Sequence, residues 1–380
     1  MPINHSVTVA EQSTSVMTPV TAESGIPFVV GIAPVHTADN PVEAGVPTIC
    51  YSWDECLDNL GYSEAWDDFT LCEVMYSQFV LYGMSPVIFV NLLDPSTMNE
   101  AKTSTVTVLS HKANLGPKAI NDSNLVVKNN TTTLTKDTDY SAYYTDGELI
   151  IELLSSGAAY GASALNVSYN AVVTAGITGN TVATAMEKVE LCMSMFGLTP
   201  DLIAAPGFSG NATVAAVMAT KARSISGLFR AKAVIDIPCD ASTGATTYDA
   251  VFAKKNALAL TDENEIICWP MVGLGDRVFH MSTHALGCIA TTDDEYDAPY
   301  ASPSNHNIKI DRLVLADGSN VLLSLQQANY LNGQGIVTGL NFMSSYKLWG
   351  NYTACYPENT DVKDYFIPVS RMFDWVANSI

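Results

Sequence analysis

The sequence predicts an α/β (α+β) protein: a mixed sheet with flanking helices forms the core, and a β-rich domain is inserted into it. Three observations carry that expectation. Short, continuous apolar runs such as PVIFVN and DLIAAP have the composition of strands buried on both faces. They alternate with helix-period stretches of roughly 10–15 residues, the order that builds a largely parallel sheet. From about 97 to 175 that alternation stops, and Thr-, Ser- and Asn-rich segments of period two replace it.

Taken in order, residues 1–25 are rich in Ser, Thr and Val and too poor in apolar material for a core layer. They read as an extended arm able to add a strand to a partner's sheet, with Val7, Val9 and Val16 as its contact residues. The core is expected in two pieces, 26–96 and 176–380. In the first, Pro27–Val30 is a strand, and Ser52-Trp-Asp-Glu55 is a capping box for a short helix that Gly61 ends. Thr70-Leu-Cys-Glu73 reads as a second box, opening a helix with an apolar stripe of Leu71, Val74, Met75, Phe79 and Tyr82. Within the insertion, 97–175, an Asp146-Gly147 turn joins AYYT to ELIIELL as a hairpin. Beyond it come a helix over 181–196, the strand DLIAAP, a helix over 211–226, the strand AKAVIDIP, a helix near 248–258, the strand EIICWPMV and a hairpin in LVLADGSNVLLSL.

With 48% hydrophobic and 15% charged residues among 380, the chain buries enough apolar surface to fold. A formal charge of −21 argues against gripping a nucleic-acid backbone, which needs clustered Lys and Arg. No apolar run approaches the roughly 20 residues that cross a bilayer, and direct membrane insertion is not expected. Nothing at the start reads as a secretion signal, and the eight cysteines are expected as reduced, buried thiols.

The search for chemistry assigns no catalytic residue, no metal and no cofactor. Gly207-Phe-Ser209-Gly210-Asn211 lies where a nucleophile elbow would, but Asn211 holds the place of the closing glycine. An α/β hydrolase-like enzyme using Ser209 with His280 or His284 is the rival reading. His280, His284 and Cys288 have the spacing of one helix face, yet one helix cannot close a tetrahedral metal site. Gly273-Leu-Gly275 lacks the third glycine or Walker lysine of a phosphate loop. The run Asp293-Asp294-Glu295 reads as a solvated helix end rather than a divalent-cation site. A surface-binding module in 97–175 is the third reading.

The last stretch, DYFIPVSRMFDWVANSI, is expected to be a helix with Pro368 in its first turn. Its apolar face holds Val369, Met372, Phe373, Val376 and Ile380.

Five islands in order resemble the contractile phage tail sheath family. They are GIPFVVGIAPVHTADNP with WDDFTLCEVMYSQFVLYGMSPVIFVNLLDP, then LCMSMFGLTPDLIAAPGFSGNATVAAVMATKA, DEYDAPYASPSN, and GNYTACYPENTDVKDYFIPVSRMFDWVANSI. The resemblance implies a virion protein, assembled in the host cytoplasm as stacked hexameric rings around the tail tube and triggered by the baseplate. Its partners would be other sheath subunits, the tube protein and the baseplate. The insertion would protrude outward, and extended arms would link neighbouring subunits. Family members continue past the helix that RMFDW resembles, so the expectation is a chain without the C-terminal domain, monomeric or weakly associating alone. Met372, Phe373, Val376 and Ile380 would then be partly exposed.

Overall fold

The computed structural model describes residues 23–379; Val7, Val9 and Val16 of the expected arm, and Ile380, lie outside the described residues. An eight-stranded mixed sheet organises the main core. Across it lie Ser345–Trp349, Ile336–Phe342, Glu265–Cys268, Lys232–Asp236, Leu202–Ala204, Pro27–Gly31, Val87–Asn91 and Pro47–Cys50. The inner six run parallel, and the two edges are antiparallel to their neighbours. The apolar runs form these strands because both faces are covered: every residue of Pro27–Gly31, Val87–Asn91 and Leu202–Ala204 is buried. Helices including Gly179–Met186, Ala212–Arg223 and Met281–Tyr296 flank the sheet. All eight cysteines are buried, and none is paired.

Residues 99–172 build two antiparallel sheets. One holds Asn99–Thr107, Ala164–Val172, Val126–Asn129 and Thr132–Thr133; the other holds Lys112–Asn114, Glu148–Leu153 and Tyr140–Thr145. Asn99–Thr107 and Ala164–Val172 pair from Asn99↔Val172 to Thr107↔Ala164, so the chain leaves and rejoins the main core side by side. Val127, Leu149, Ile151, Leu165 and Val167 form a core of their own between these sheets. The Asp146-Gly147 turn closes its hairpin, and Gly147 has a φ of +75°. A side chain at Gly147 would strike the Tyr62 carbonyl and Ser63, so this turn is also where the insertion seats on the main core.

Several local expectations change in three dimensions. Ser52 does cap Trp53–Leu60, accepting from the Glu55 N–H at 3.2 Å, and Gly61 ends the helix. Thr70 and Glu73 form no capping box. Thr70 Oγ1 accepts from the Ile32 N–H, and Glu73 turns inward to His280. The helix continues as a π-helical stretch, Tyr76–Tyr82, before Gly83 stops it at φ +67°. EIICWPMV divides between two sheets, with Glu265–Cys268 in the main sheet and Met271–Leu274 in a small antiparallel one. Gly275 and Asp276 are the turn of a hairpin there, and Arg277 donates to both oxygens of Glu64 at 2.9 and 2.8 Å. The strand Ile336–Phe342 escaped the sequence reading because Gly339 interrupts its apolar pattern. A Cβ at Gly339 would meet Leu313 at 2.7 Å, so close packing selects the glycine.

Candidate functional site

The site with the densest polar organisation lies under the helix Ile367–Asn378. Its buried residues are Ile367, Pro368, Ser370, Arg371 and Asp374, so beyond the first turn the face turned inward is polar. Arg371, 3% exposed, donates from Nη1 to Asp293 Oδ1 at 2.7 Å and from Nη2 to Asp293 Oδ2 at 2.6 Å. The same Nη2 reaches Asp201 Oδ2 at 2.7 Å. Burial opposes the guanidinium charge, but the two carboxylates outweigh it and hold Arg371 ionised. One turn on, the fully buried Lys232 Nζ bonds Ser370 Oγ at 2.7 Å and Asn264 Oδ1 at 3.0 Å, and pairs with Asp374 Oδ2 at 2.7 Å. Asn378 closes the far end: its side chain accepts from the Arg230 N–H and donates to the Arg230 carbonyl.

Each partner is placed by the sheet. Asp201 and Lys232 sit where two neighbouring parallel strands begin, and Asp293 lies in the last turn of Met281–Tyr296. Asp293 is therefore no solvated helix end, although Asp294 and Glu295 beside it are exposed. Sequence reasoning missed this cluster because its members are far apart in the chain. The one available signal was an Arg and an Asp spaced i, i+3 on the side opposite an apolar stripe.

The outer side carries the expected contact residues. Phe373 is 57% exposed and Val376 41%, while Met372 is half-buried. Phe373 and Val376 line a groove of about 580 Å³ with Arg223, Arg230, Glu263 and Lys363.

Ser209 and His280 also come together, with Asp236, around a small cavity of about 170 Å³ at the carboxyl ends of the parallel strands. Their chemistry is structural. Ser209 Oγ accepts from the Asp236 N–H at 3.0 Å and lies 3.4 Å from Asp236 Oδ2. His280 is bound through Nδ1 to Glu73 Oε2 at 2.9 Å. Burial opposes its charge, yet Glu73, Asp236 and Asp67 push His280 up to about 9, so at neutral pH it is an imidazolium with no lone pair for a serine proton. His280 occupies the N-cap position before the long helix with its ring turned to Glu73, whereas His284 faces Tyr82 Oη at 3.0 Å and Cys288 faces the Pro303 carbonyl. The equal spacing along the sequence therefore converges on nothing, and among the described residues no cluster of three metal-ligating side chains occurs.

The polar groups around Ser209 and under the last helix are engaged with one another in the bonds described. No family model matches the sequence. Over 401 aligned positions, covering 99% of this chain and 80% of the relative, it is 24% identical to the tail sheath protein of Burkholderia phage BcepMu. It is 30% identical to a putative prophage major tail sheath protein of Pseudomonas aeruginosa over 213 residues, 55% of this chain and 51% of that one. The contracted helical sheath of the anti-feeding prophage shares the fold at TM-score 0.52 and 13% identity, over 100% of this chain and 75% of that one. A sheath tail protein from Desulfitobacterium hafniense does so at 0.51 and 13%, over 98% and 81%. The chain is similar over nearly its whole length to a contractile-phage tail sheath protein and shares the fold of solved sheath proteins.

Proposed function

We propose that this chain is a structural subunit of a contractile tail sheath, a virion component that polymerises with other copies around the tail tube. Contraction, triggered at the baseplate, would drive the tube through the host envelope. The observation that carries this reading is the match of 99% of the chain to a tail sheath protein, supported by the shared fold of a contracted sheath. Within that assembly, hexameric rings are the repeating unit, residues 1–25 are a linking arm and 97–175 the outward protrusion. Val7, Val9 and Val16 on the arm, with Met372, Phe373, Val376 and Ile380 on the last helix, are the proposed subunit contacts. The acidic balance keeps free subunits soluble before assembly.

Immunogold electron microscopy of purified particles tests the proposal with an antibody against this chain. Label is expected all along the outer tail, drawn into a shorter and wider zone after contraction. Label confined to fibres, to the capsid or to free protein counts against it.

A further inference from the structure

Asp201 is shared between two segments that are otherwise remote. Its Oδ1 accepts from the Ile26 N–H at 2.8 Å, at the point where the chain enters the first strand of the sheet. Its Oδ2 accepts from Arg371 Nη2 at 2.7 Å, on the last described helix. The backbone closes the joint, because the Asp201 N–H bonds the Ile26 carbonyl at 3.2 Å and its carbonyl accepts from Lys232. Gly25, immediately before, is pressed against the long helix: a Cβ there would lie 3.0 Å from the Ala290 Cα and 3.6 Å from Asp293 Oδ2. Arg371 thus touches the two carboxylates that frame the path of residues 25 and 26.

Beyond the first turn of the helix Ile367–Asn378, the buried side chains are Ser370, Arg371 and Asp374, all polar. Phe373 and Val376 face outward, and the helix's polar contacts include Arg371 to Asp201 and Asp293, Lys232 to Asp374 and Ser370, and Asn378 to Arg230. Directional bonds of this kind are made or broken singly, unlike a hydrophobic face whose loss is graded with area. We infer that Asp201, Arg371 and Asp293 form a latch that couples the seating of residues 24–28 to the docking of the last helix. Breaking the Arg371 bonds then loosens both segments while the sheet stays folded, whereas fraying the helix elsewhere with those bonds intact does not reach residues 24–28. The inference concerns a single chain and stands apart from the sheath assignment.

Hydrogen exchange on the full chain reads this directly. Arg371→Met removes the shared cation and touches the N-terminal segment only through Asp201 and Asp293. Exchange is expected to accelerate about tenfold or more both in 367–378 and in 24–28, with the inner strands 202–204 and 265–268 unchanged. Lys232→Met is the control, loosening the helix at its other clamp and leaving 24–28 at the parent rate. Arg371→Lys, which retains charge but not the fork, gives the same paired pattern more weakly if the methionine variant fails to fold. Faster exchange in 367–378 with 24–28 still protected, in whichever Arg371 variant folds, overturns the latch. Uniform acceleration across the inner strands in both variants overturns it as well.

Discussion

His280 and His284 stand one helical turn apart and hold protons in opposite ways. For His284, burial without a charged partner pushes the ring down to about 3, so it is neutral beside Tyr82. For His280, burial pulls the same way, but Glu73 and Asp236 prevail and the ring rises to about 9. Burial also raises the Glu73 carboxyl, with His280 pulling it back. A histidine raised from 6.5 to about 9 contributes stability that is complete below 6.5 and lost as pH climbs through about 9. The raised Glu73 has the same sign at lower pH. Thermal unfolding followed from pH 7 to pH 10 is therefore expected to show a falling melting temperature for the parent and a flatter profile for His280→Gln. Identical slopes in both would remove His280 from the account. The sequence spacing that put both rings on one helix face missed this, because His280 has extended backbone (φ −67°, ψ 139°) and belongs to the cap.

At the scale of elements, the last helix teaches most about what a sequence discloses. Its existence, its first-turn proline and its apolar stripe were legible in the sequence, whereas the exposure of Phe373 and Val376 was an expectation from the family resemblance and not from period. Which side faced the core was not, because periodicity assigns apolar residues inward and cannot see that Asp201, Lys232 and Asp293 await on the sheet side. Strands with continuous apolar runs were legible for the complementary reason: nothing about their orientation needed deciding. The consequence is an inverted ranking of substitutions on one helix. Phe373→Ala and Val376→Ala should each change stability by no more than about 0.5 kcal/mol. Asp293→Ala should cost about 3 kcal/mol, because it removes two of the three bonds to a buried guanidinium and leaves it only Asp201. Urea unfolding of the three variants checks the order, and a larger loss from Phe373→Ala than from Asp293→Ala would refute it.

For the molecule as a whole, two hydrophobic cores separated by a paired entrance and exit set how the chain comes apart. Leu149, Ile151 and Val167 pack only within the insertion's cluster, while Ile235 and Val234 belong to the main one. The seam between them includes polar contacts, His36 Nε2 to the Pro117 carbonyl at 2.8 Å and Lys118 to Asp68, beside a few apolar ones such as Ile120 and Val172 on the main core. A seam of that kind transmits little cooperativity compared with a shared apolar core. This is the physical basis for proposing 97–175 as a domain that protrudes while the remainder packs in the sheath. Ile151→Ala, at a fully buried position, should cost about 2–5 kcal/mol. That loss should fall on the insertion alone. Limited proteolysis is then expected to cut first within 99–172 and leave the rest of the chain held together as a resistant core, whereas Ile235→Ala should expose the parallel strands with the insertion still protected. Simultaneous loss of both regions in either variant would mean that the two cores unfold as one unit, and the insertion could not then move independently of the sheet.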